Sequence, residues 1–530
     1  MFNKNFSLIL ALLMLISALG GCKNTETKQG IEKTVSYGDS YPLESDTKLT
    51  YWVEFPGQSV AGVTNFSELP FYKEIFKKTG VEVEFIHPTS PEQYNLMLAS
   101  GEYPDIMEID FYNFPGGPEK AISDEYIIPL NDTISKYAPN LTKYYKENPF
   151  VDKLSKTDTG TYYNFPFIRG DKTLMVFSGT ILRQDWLTEL GLEVPETIDE
   201  WYIVLKAFKE QKGAVAPLSF QFNSGSLWNS AAFIGAYNTR QGLYVDNGKI
   251  KYGEMEPGYK EFLTTFRKWY QEGLIDKNIA SVDGKILDAN ILDNKTAAMI
   301  GNVGGGIGKW TKAAESINPD FKLVAAPYPT LNKEEISRFG QWDLPSQPNG
   351  AASISTQCKD IELAARFLDY GYSEEGKMLF NFGTEGVSYN IEDGYPKYTD
   401  VITNDPQGKS LMDMIGIYCR PNGNGPFIQD PRYMEQNAAL PEQKHAMDLW
   451  SSTKAEETIL PRITLTPEES NEISTIKSDL DTYSKEMFLS FLMGTTSLDQ
   501  FDAFEAELKR IGVEKYIAVH QAALDRYQNR

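Results

Sequence analysis

The sequence predicts an α/β protein with two lobes, and three observations lead to this expectation. Near its start the chain alternates apolar strands with amphipathic helices, a pattern typical of βαβ units and of a largely parallel sheet covered by helices. The chain has 530 residues, which is too many for a single hydrophobic core, so two or more domains are expected. Helix and strand signals then continue to the C-terminus, without a low-complexity insert or a short-period repeat.

The N-terminus carries an apolar run, residues 6–19, whose 14 positions are uncharged and follow Lys4. A helix that spans a bilayer needs about 20 residues, whereas the apolar part of a signal peptide has roughly 7–15. The run therefore predicts a signal peptide over residues 1–21. The motif Leu19-Gly20-Gly21-Cys22 resembles the lipobox of bacterial lipoproteins, in which diacylglycerol is attached to the cysteine thiol. The alternative is an ordinary signal peptide followed by an incidental cysteine.

Residues 22–46 are polar and show no apolar periodicity, which predicts a flexible tether. No second long apolar run follows in the sequence. A lipid on Cys22 would then be the attachment to the outer face of the cell membrane, held by the hydrophobic effect.

Three strands and two helices alternate at the start of the body. The strands are predicted at 48–53, 81–85 and 104–109, the middle one because apolar residues alternate with glutamates. The first helix ends at Gly80, where a C-cap glycine is expected, and the second spans 91–100.

Two later helices begin with the spacing of a capping box. Thr197 stands three positions before Glu200, and the apolar stripe that follows ends at Gly213. The sequence 497–500 repeats this spacing, before a second apolar stripe that ends at Gly512. Both segments are therefore predicted to be amphipathic helices.

Charge and cysteine content narrow the classes of partner. The formal net charge of −22 argues against nucleic acid, whose phosphates would be repelled. Aromatic residues make up 13% of the chain, which suits a protein that presents flat ring surfaces. Besides Cys22 the chain has Cys358 and Cys419, which either form a disulfide or remain buried free thiols.

No motif assigns a catalytic residue, a cofactor or a metal. The three histidines, His87, His445 and His520, lack metal-ligand spacing, and a G-x-S-x-G elbow is absent from the sequence. With 73 acidic residues, carboxylate pairs are so common that none is evidence for a glycosidase.

A glycine-rich segment follows the predicted strand 297–300. It resembles a phosphate-binding loop but departs from it twice, because Val303 replaces the first glycine and Trp310 replaces the hydroxyl residue. The segment is better interpreted as a loop that brings backbone close to a ligand and presents Trp310, with a plain flexible turn as the alternative.

Trp228, Trp310 and Trp342 lie in turn-rich contexts rather than in periodic apolar stripes. An aromatic face packs on the C–H face of a pyranose, while neighbouring Asp, Asn, Gln and Arg side chains bind its hydroxyls. This composition favours a sugar site in a pocket between lobes, and packing between the lobes is the alternative for each tryptophan.

Several segments together resemble one protein family, the carbohydrate-type extracellular solute-binding proteins of bacterial ABC importers, and in particular their large lipoprotein branch. The segments that carry the resemblance are LASGEYPDI (98–106), YIIPL (126–130), RQDWL (183–187), LGL (190–192), PET (195–197), AAM (297–299), NFGTEGVSY (381–389) and the helices from 491 to 516. Each segment alone is weak, whereas their order and number make the match specific.

The resemblance implies a two-lobe clamp of the periplasmic-binding-protein type, with the ligand in the cleft between two α/β lobes. The first lobe is expected to comprise residues 47–168 and 349–392. The second is expected to comprise 169–348 and 393–530. Closure on the ligand would create the surface that the permease recognises.

The resemblance also implies, by position, which residues line the cleft. They follow strands or crossings of the chain: Glu54, Phe55, Asp110, Tyr112, Arg169, Trp228, Trp310, Trp342, Glu385 and Arg420. For Glu385 and Arg420, a structural ion pair or a solvated loop is the alternative.

The implied function is capture of an oligosaccharide, or another small solute, for import. The implied partners are the transmembrane permease subunits and, through the N-terminal lipid, the membrane, and the protein is expected to be a monomer without catalytic activity, metal or cofactor. The alternatives are a cell-surface carbohydrate-active enzyme and a surface adhesin. The sequence does not specify the sugar.

Overall fold

The computed structural model describes residues 37–38, 40–55, 62–223, 226–420 and 424–530. The chain divides into an N-terminal unit, Met1–Tyr37, and a body, Gly38–Arg530. The predicted signal peptide, the predicted lipidation site Cys22 and most of the predicted tether lie outside the described residues. Among the residues that are described, no helix is both long enough and apolar enough to cross a membrane.

The strands of the body are β1 Lys48–Trp52, β2 Glu82–Ile86, β3 Ile106–Glu108, β4 Phe165–Arg169, β5 Ser178–Arg183, β6 Leu218–Ser219, β7 Leu243–Asp246, β8 Lys249–Tyr252, β9 Ala298–Asn302, β10 Leu323–Ala326, β11 Ser346–Ile354, β12 Tyr389–Glu392, β13 Tyr395–Tyr398 and β14 Ile428–Gln429. The α-helices are α1 Pro70–Thr79, α2 Pro91–Ser100, α3 Gly117–Ser123, α4 Asn131–Tyr137, α5 Pro139–Glu147, α6 Pro149–Leu154, α7 Gln184–Leu190, α8 Ile198–Lys212, α9 Ser226–Ser230, α10 Pro257–Gln271, α11 Gly284–Leu292, α12 Lys309–Ala314, α13 Ile361–Asp369, α14 Glu374–Phe382, α15 Asp400–Thr403, α16 Leu411–Tyr418, α17 Pro431–Asn437, α18 Pro441–Ser451, α19 Pro467–Met493, α20 Phe501–Ile511 and α21 Val513–Asn529.

A six-stranded sheet, the first sheet, has the strand order β14-β4-β11-β3-β1-β2. The predicted βαβ series is confirmed here, because β1 lies between β2 and β3 and pairs parallel with both. Five of the six strands run in the same direction, so the predicted largely parallel sheet is confirmed, and β11 is the one strand of this sheet that runs antiparallel to its neighbours. A helical crossover fixes the direction only of the strands it joins. The chain reaches β4 from β3 through the helices α3 to α6, whereas it reaches β11 from β10 of the second sheet.

A four-stranded sheet, the second sheet, has the order β10-β5-β9-β6. Its strand β5 runs antiparallel to both neighbours, while β6 and β9 are parallel. The large core around this sheet includes Trp201, Trp269 and Trp450, which are at most 1% exposed. The Trp450 indole donates to the carbonyl of Ala326 in β10 at 3.0 Å, so a helix late in the chain is fixed to this sheet.

The chain passes from the first sheet to the second after β4 and returns before β11. A third passage follows β14, because the later helix α18 packs on β10 of the second sheet. The strand β14 belongs to the first sheet, although it falls within 393–530, the part expected in the second lobe. The lobe boundaries themselves stay a prediction.

The helix predicted to begin at Thr197 is confirmed, with a complete capping box to Glu200 and an end at Gly213. The box at 497–500 is not formed. Instead, the Ser497 hydroxyl accepts from the Asp499 amide at 3.3 Å at the start of a 3₁₀ turn, and α20 follows directly. A hydroxyl residue can cap a tight turn as well as a helix, and the spacing alone does not distinguish the two.

The two cysteines of the body are buried free thiols and do not form a disulfide. Burial raises the pKa of Cys358 to about 12 and raises that of Cys419 as well. Both are therefore uncharged thiols at neutral pH.

Candidate functional site

Cavities lie at the strand ends of both sheets, where ligands bind in open α/β folds. The first-sheet cavity, of about 600 Å³, is formed by the last residue of β3, Glu108, and by residues that follow β1, β2 and β3, among them Glu54, Phe55 and Asp110. The second-sheet cavity, of about 620 Å³, is formed by the ends of β5 and β9 together with Gln341, Trp342 and Asp343. These volumes are those of small-molecule sites.

Three residues predicted for the cleft, Glu54, Phe55 and Asp110, meet in the first-sheet cavity. Glu54 is exposed and Phe55 is half-buried. The Phe55 ring lies 4.9 Å from that of His87, measured between centroids. The Asp110 carboxylate accepts from the Asn113 side-chain amide at 2.7 Å. The cavity thus combines carboxylates, an amide and aromatic edges, which suits a polyhydroxylated ligand.

His87, which packs against Phe55 at the first-sheet cavity, is an uncharged imidazole. Its Nδ1 lies 2.9 Å from the carbonyl oxygen of Val53, and the amide of Phe66 lies 3.2 Å from its Nε2. The carbonyl can only accept and the amide can only donate, so the proton belongs on Nδ1. Burial lowers the pKa of His87 further. We therefore assign this histidine a supporting role.

Arg420 lies beneath the first-sheet cavity in a buried ion pair. Its Nη2 lies 2.6 Å from both carboxylate oxygens of Glu108, and the side chains are 2% and 3% exposed. The Tyr51 hydroxyl donates to the same carboxylate at 2.8 Å, and Arg420 also donates to Tyr72. Burial acts to lower the pKa of Arg420, but the Glu108 carboxylate outweighs it and raises that pKa. The structural ion pair left open by the sequence is thus what Arg420 forms.

Tyr112 and Glu385 are placed away from both cavities. The Tyr112 hydroxyl donates to the carbonyl of Ile463 at 2.8 Å, and the guanidinium of Arg462 lies 5.5 Å from the ring centroid. Glu385 is exposed in the turn before β12. The Tyr112 hydroxyl is thus used by the segment of Ile463, and Glu385 faces solvent, so the structure does not bring these two residues together with the other predicted cleft residues.

The second-sheet cavity contains two of the three predicted tryptophans, Trp310 and Trp342. Trp310 is 3% exposed, and its indole donates to Asp288 at 2.7 Å. A Cβ on Gly301 would lie 2.8 Å from the Trp310 ring, so this glycine permits the close packing. Trp342 is half-buried, with Lys172 Nζ 5.2 Å from its ring centroid. Trp342 is thus the more available ring for a ligand.

The glycine-rich segment does not form the expected loop. Residues Val303–Gly308 form a π-helical turn that leads directly into α12. Helical backbone brings Trp310 back onto β9, which explains why its ring is buried rather than presented. Gly305, in this turn, still lines the second-sheet cavity.

Trp228 is placed in the core of the second sheet. It is 7% exposed, and its ring stands edge-to-face with Phe488 at a centroid distance of 4.6 Å. Its Nε1 is buried and finds no hydrogen-bond partner among the described residues. It lines a third cavity, of about 380 Å³, together with Glu254 and Asp481. The packing alternative for this tryptophan is the one that the structure favours.

Arg169 and Asp343 form an ion pair where the chain passes between the sheets. Nη2 of Arg169 lies 2.7 Å from Oδ2 of Asp343, and Nη1 donates to Gln429 at 3.1 Å. The guanidinium also lies 5.1 Å from the ring centroid of Phe177. Because Asp343 lines the second-sheet cavity while Arg169 lines another, of about 440 Å³, on the far side of Trp342, the pair connects ligand-facing residues to the crossing segments.

Arg240 is a cavity residue that the sequence reasoning missed. It lines both the second-sheet cavity and the third cavity, and burial lowers its pKa. Its Nε is buried without a hydrogen-bond partner in the part of the chain that the structure describes. In the sequence it is one arginine in a polar turn, Asn238–Gln241, and no periodicity or motif distinguishes it.

Within the described ranges, no group of three or more His, Cys, Asp or Glu side chains could hold a metal ion. The cavities instead offer aromatic rings, amides and a few charged groups, a set that suits binding of a neutral or weakly charged polar solute.

Comparison with known proteins agrees with this chemistry. The family described as bacterial extracellular solute-binding protein matches residues 62–378. The fructooligosaccharide ABC transporter substrate-binding protein FusA of Streptococcus pneumoniae is 25% identical, over 99% of this chain and 98% of its own. The lipoprotein LipO of Bacillus subtilis is 27% identical over 76% of each chain. The crystal structure of the alginate-binding protein AlgQ2 superimposes with a TM-score of 0.73 and 26% identity, covering 90% of this chain and 98% of AlgQ2.

Proposed function

We propose that this chain, which belongs to the bacterial extracellular solute-binding proteins, captures an oligosaccharide and delivers it to the permease of an ABC importer. One observation of the structure supports this above the others. In the second-sheet cavity, an available aromatic face, Trp342, lies beside amide side chains at the edge of a sheet. The similarity to FusA, whose name gives fructooligosaccharides as its substrates, supports the same substrate class.

The fold is a two-lobe clamp, as in the solved solute-binding structures that it resembles. We place the ligand between the first-sheet and second-sheet cavities, where the proposed contacts include Glu54, Phe55, Asp110, Trp310 and Trp342. The three passages of the chain then act as hinges. A ligand that touches both walls binds the closed state better than the open one, and this difference in affinity drives closure.

The mature protein, in this proposal, is a monomer attached to the outer face of the membrane by a lipid on Cys22. The lipobox sequence supports the attachment, and the relative LipO is named as a lipoprotein. We further propose that the protein does not turn over its ligand. Release of shorter sugars from an oligosaccharide by the purified protein would contradict this part.

The test is a thermal-shift screen of the purified protein against a panel of neutral and acidic oligosaccharides, followed by calorimetry on the sugars that raise the melting temperature. A ligand that binds only the folded state must stabilise it. No stabilisation by any sugar, with stabilisation by a peptide or another solute, would refute the proposal.

Trp342→Ala tests the site itself. Stacking a pyranose on the ring removes about 60 Å² of C–H surface from water, which is worth about 1.5 kcal/mol, or roughly tenfold in affinity. Tyr202→Ala serves as control, because Tyr202 contacts Glu272 and lines neither sheet's cavity. Equal affinity in both variants would remove Trp342 from the site.

A further inference from the structure

Among the described residues, Arg240 is the arginine whose side chain forms neither an ion pair nor a hydrogen bond. Arg267, Arg462 and Arg530 also lack an ion pair, but each donates hydrogen bonds to the protein. Arg169, Arg183, Arg420 and Arg526 each form ion pairs with carboxylates at 2.5 to 2.8 Å. Arg240 forms no ion pair within 4.0 Å with any described carboxylate, and its guanidinium donates no hydrogen bond to the described residues. Arg240 is half-buried, and its Nε is buried without a partner among the described residues. Burying a charged group without a partner is costly, so a bound group that pairs with this guanidinium would be favoured.

Arg240 carries the dominant charge in the second-sheet cavity, whereas the third cavity, which it also lines, contains Glu254, Asp481 and Lys485 as well. Only two charged residues line the second-sheet cavity, Arg240 and Asp343. Asp343 is already paired with Arg169 at 2.7 Å. The cavity therefore carries one unbalanced positive charge in a protein whose formal net charge is −22. At physiological salt, charges beyond about 8 Å are largely screened, so the acidic outer surface does not cancel the local field.

The neighbours of Arg240 add neutral donors and an aromatic face. Asn229 lines both cavities that Arg240 lines, and Ser226 and Trp342 line the second-sheet cavity with it. A guanidinium presents its N–H groups as a flat fork that matches the two oxygens of a carboxylate. Sugar hydroxyls alone would satisfy the N–H groups but leave the charge without a counter-charge.

We infer that the sugar held in the second-sheet cavity carries a carboxylate, as an acidic oligosaccharide containing uronic acid, and that Arg240 binds this group. The inference rests on the proposed function and narrows its substrate class. The negative net charge of the protein alone would favour a neutral ligand over an anionic one. The inference differs because the charge in the second-sheet cavity is positive.

The experiment measures binding to the full mature protein by calorimetry, using oligosaccharides of galacturonic, glucuronic, mannuronic or guluronic acid. Each is compared with the same chain after reduction of its carboxyl groups to alcohols, and with a sulfated oligosaccharide. We expect at least one uronate to bind roughly ten to a hundred times more tightly than its reduced form, the range for a charge-assisted hydrogen-bond pair.

Three variants assign that preference to Arg240. Arg240→Gln should abolish the difference between the uronate and its reduced form while the reduced form still binds. Arg240→Lys keeps the positive charge but loses the forked N–H groups of the guanidinium, so it should retain part of the preference for the uronate. It replaces Arg240→Gln in the test if the glutamine variant does not fold. Arg338→Gln, which removes an equal charge from the Arg338–Asp246 surface pair, should behave as the unchanged protein.

The inference is overturned if no uronate binds better than its reduced form, if the sulfated chain binds best, or if Arg240→Gln keeps the preference. The inference is also overturned if Arg338→Gln loses the preference for the uronate as much as Arg240→Gln does, because the overall electrostatic field of the protein would then explain the preference. If neutral oligosaccharides bind and Arg240 variants do not alter binding, the inference fails while the proposed function stands. If no sugar of either kind binds, both fail.

Discussion

Glu108→Gln should be one of the most destabilising single changes in the first sheet, although glutamine has nearly the same shape. The substitution keeps an oxygen for hydrogen bonding but leaves Arg420 charged and buried, where its side chain is 2% exposed. Removing one partner of a buried pair costs about 3–5 kcal/mol in free energy of unfolding. An exposed pair such as Lys48–Glu84, whose side chains are 52% and 60% exposed, contributes at most about 1 kcal/mol.

The measurement is urea unfolding at neutral pH, followed by intrinsic fluorescence, for Glu108→Gln, Arg420→Met and the double variant. We expect each single change to cost more than about 3 kcal/mol and the double variant to cost clearly less than their sum, because the second change removes the charge that the first left unpaired. Glu84→Gln is the matched control, since it breaks the exposed Lys48–Glu84 pair. If Glu108→Gln costs no more than Glu84→Gln, or if the two single effects add fully, the reasoning about this ion pair is refuted.

Three further predictions concern other parts of the chain. Burial raises the pKa of Glu254 from 4.5 to about 7, so the folded state holds a proton that the unfolded state has lost. The free energy of unfolding should therefore fall as the pH rises from about 5 to 8. Glu254→Gln should remove about 3 kcal/mol of this decrease, measured by urea unfolding across that pH range. A parallel pH profile of the variant and the unchanged protein would contradict it. Thr197→Ala removes the N-cap of α8 and should lower the free energy of unfolding by about 1 kcal/mol. Thr188→Ala, a change within α7, is the control, and an equal loss of stability in both variants would argue against the capping role of Thr197. Cys22→Ser should abolish labelling with radioactive palmitate and release the protein or its precursor from the membrane, and unchanged labelling would exclude lipidation at Cys22.

The parts of the fold that the sequence predicted well are those set by local patterns. Alternation of apolar residues with glutamates in 81–85 placed β2, and the hydroxyl and carboxylate of Thr197 and Glu200 placed the start of α8. Such signals depend on residues that contact each other along the chain. The direction of β11 depends on its contacts with β3 and β4, which both lie more than 170 residues before it, and no local pattern encodes that.

The site was predicted less evenly, for a related reason. Position after a strand placed Glu54, Phe55 and Asp110 in one cavity, because strand ends share an edge of a sheet. Exposure of a tryptophan cannot be deduced from its turn-rich surroundings, since Phe488 from a distant helix covers Trp228. Arg240 was missed because its significance lies in the absence of a partner among the described residues, which is a property of the folded molecule.

The strand order of the first sheet sets a sequence of events during synthesis. The strand β4 has β11 and β14 as its neighbours, and these strands begin at Ser346 and Ile428. Until those residues have left the ribosome, β4 has no neighbour to pair with, and β3 has an open edge. A nascent chain of this protein therefore carries β4 as an unpaired strand while residues 170–345, about a third of the chain, are synthesised. Any helper that keeps the chain unfolded before export has this long interval in which to bind it.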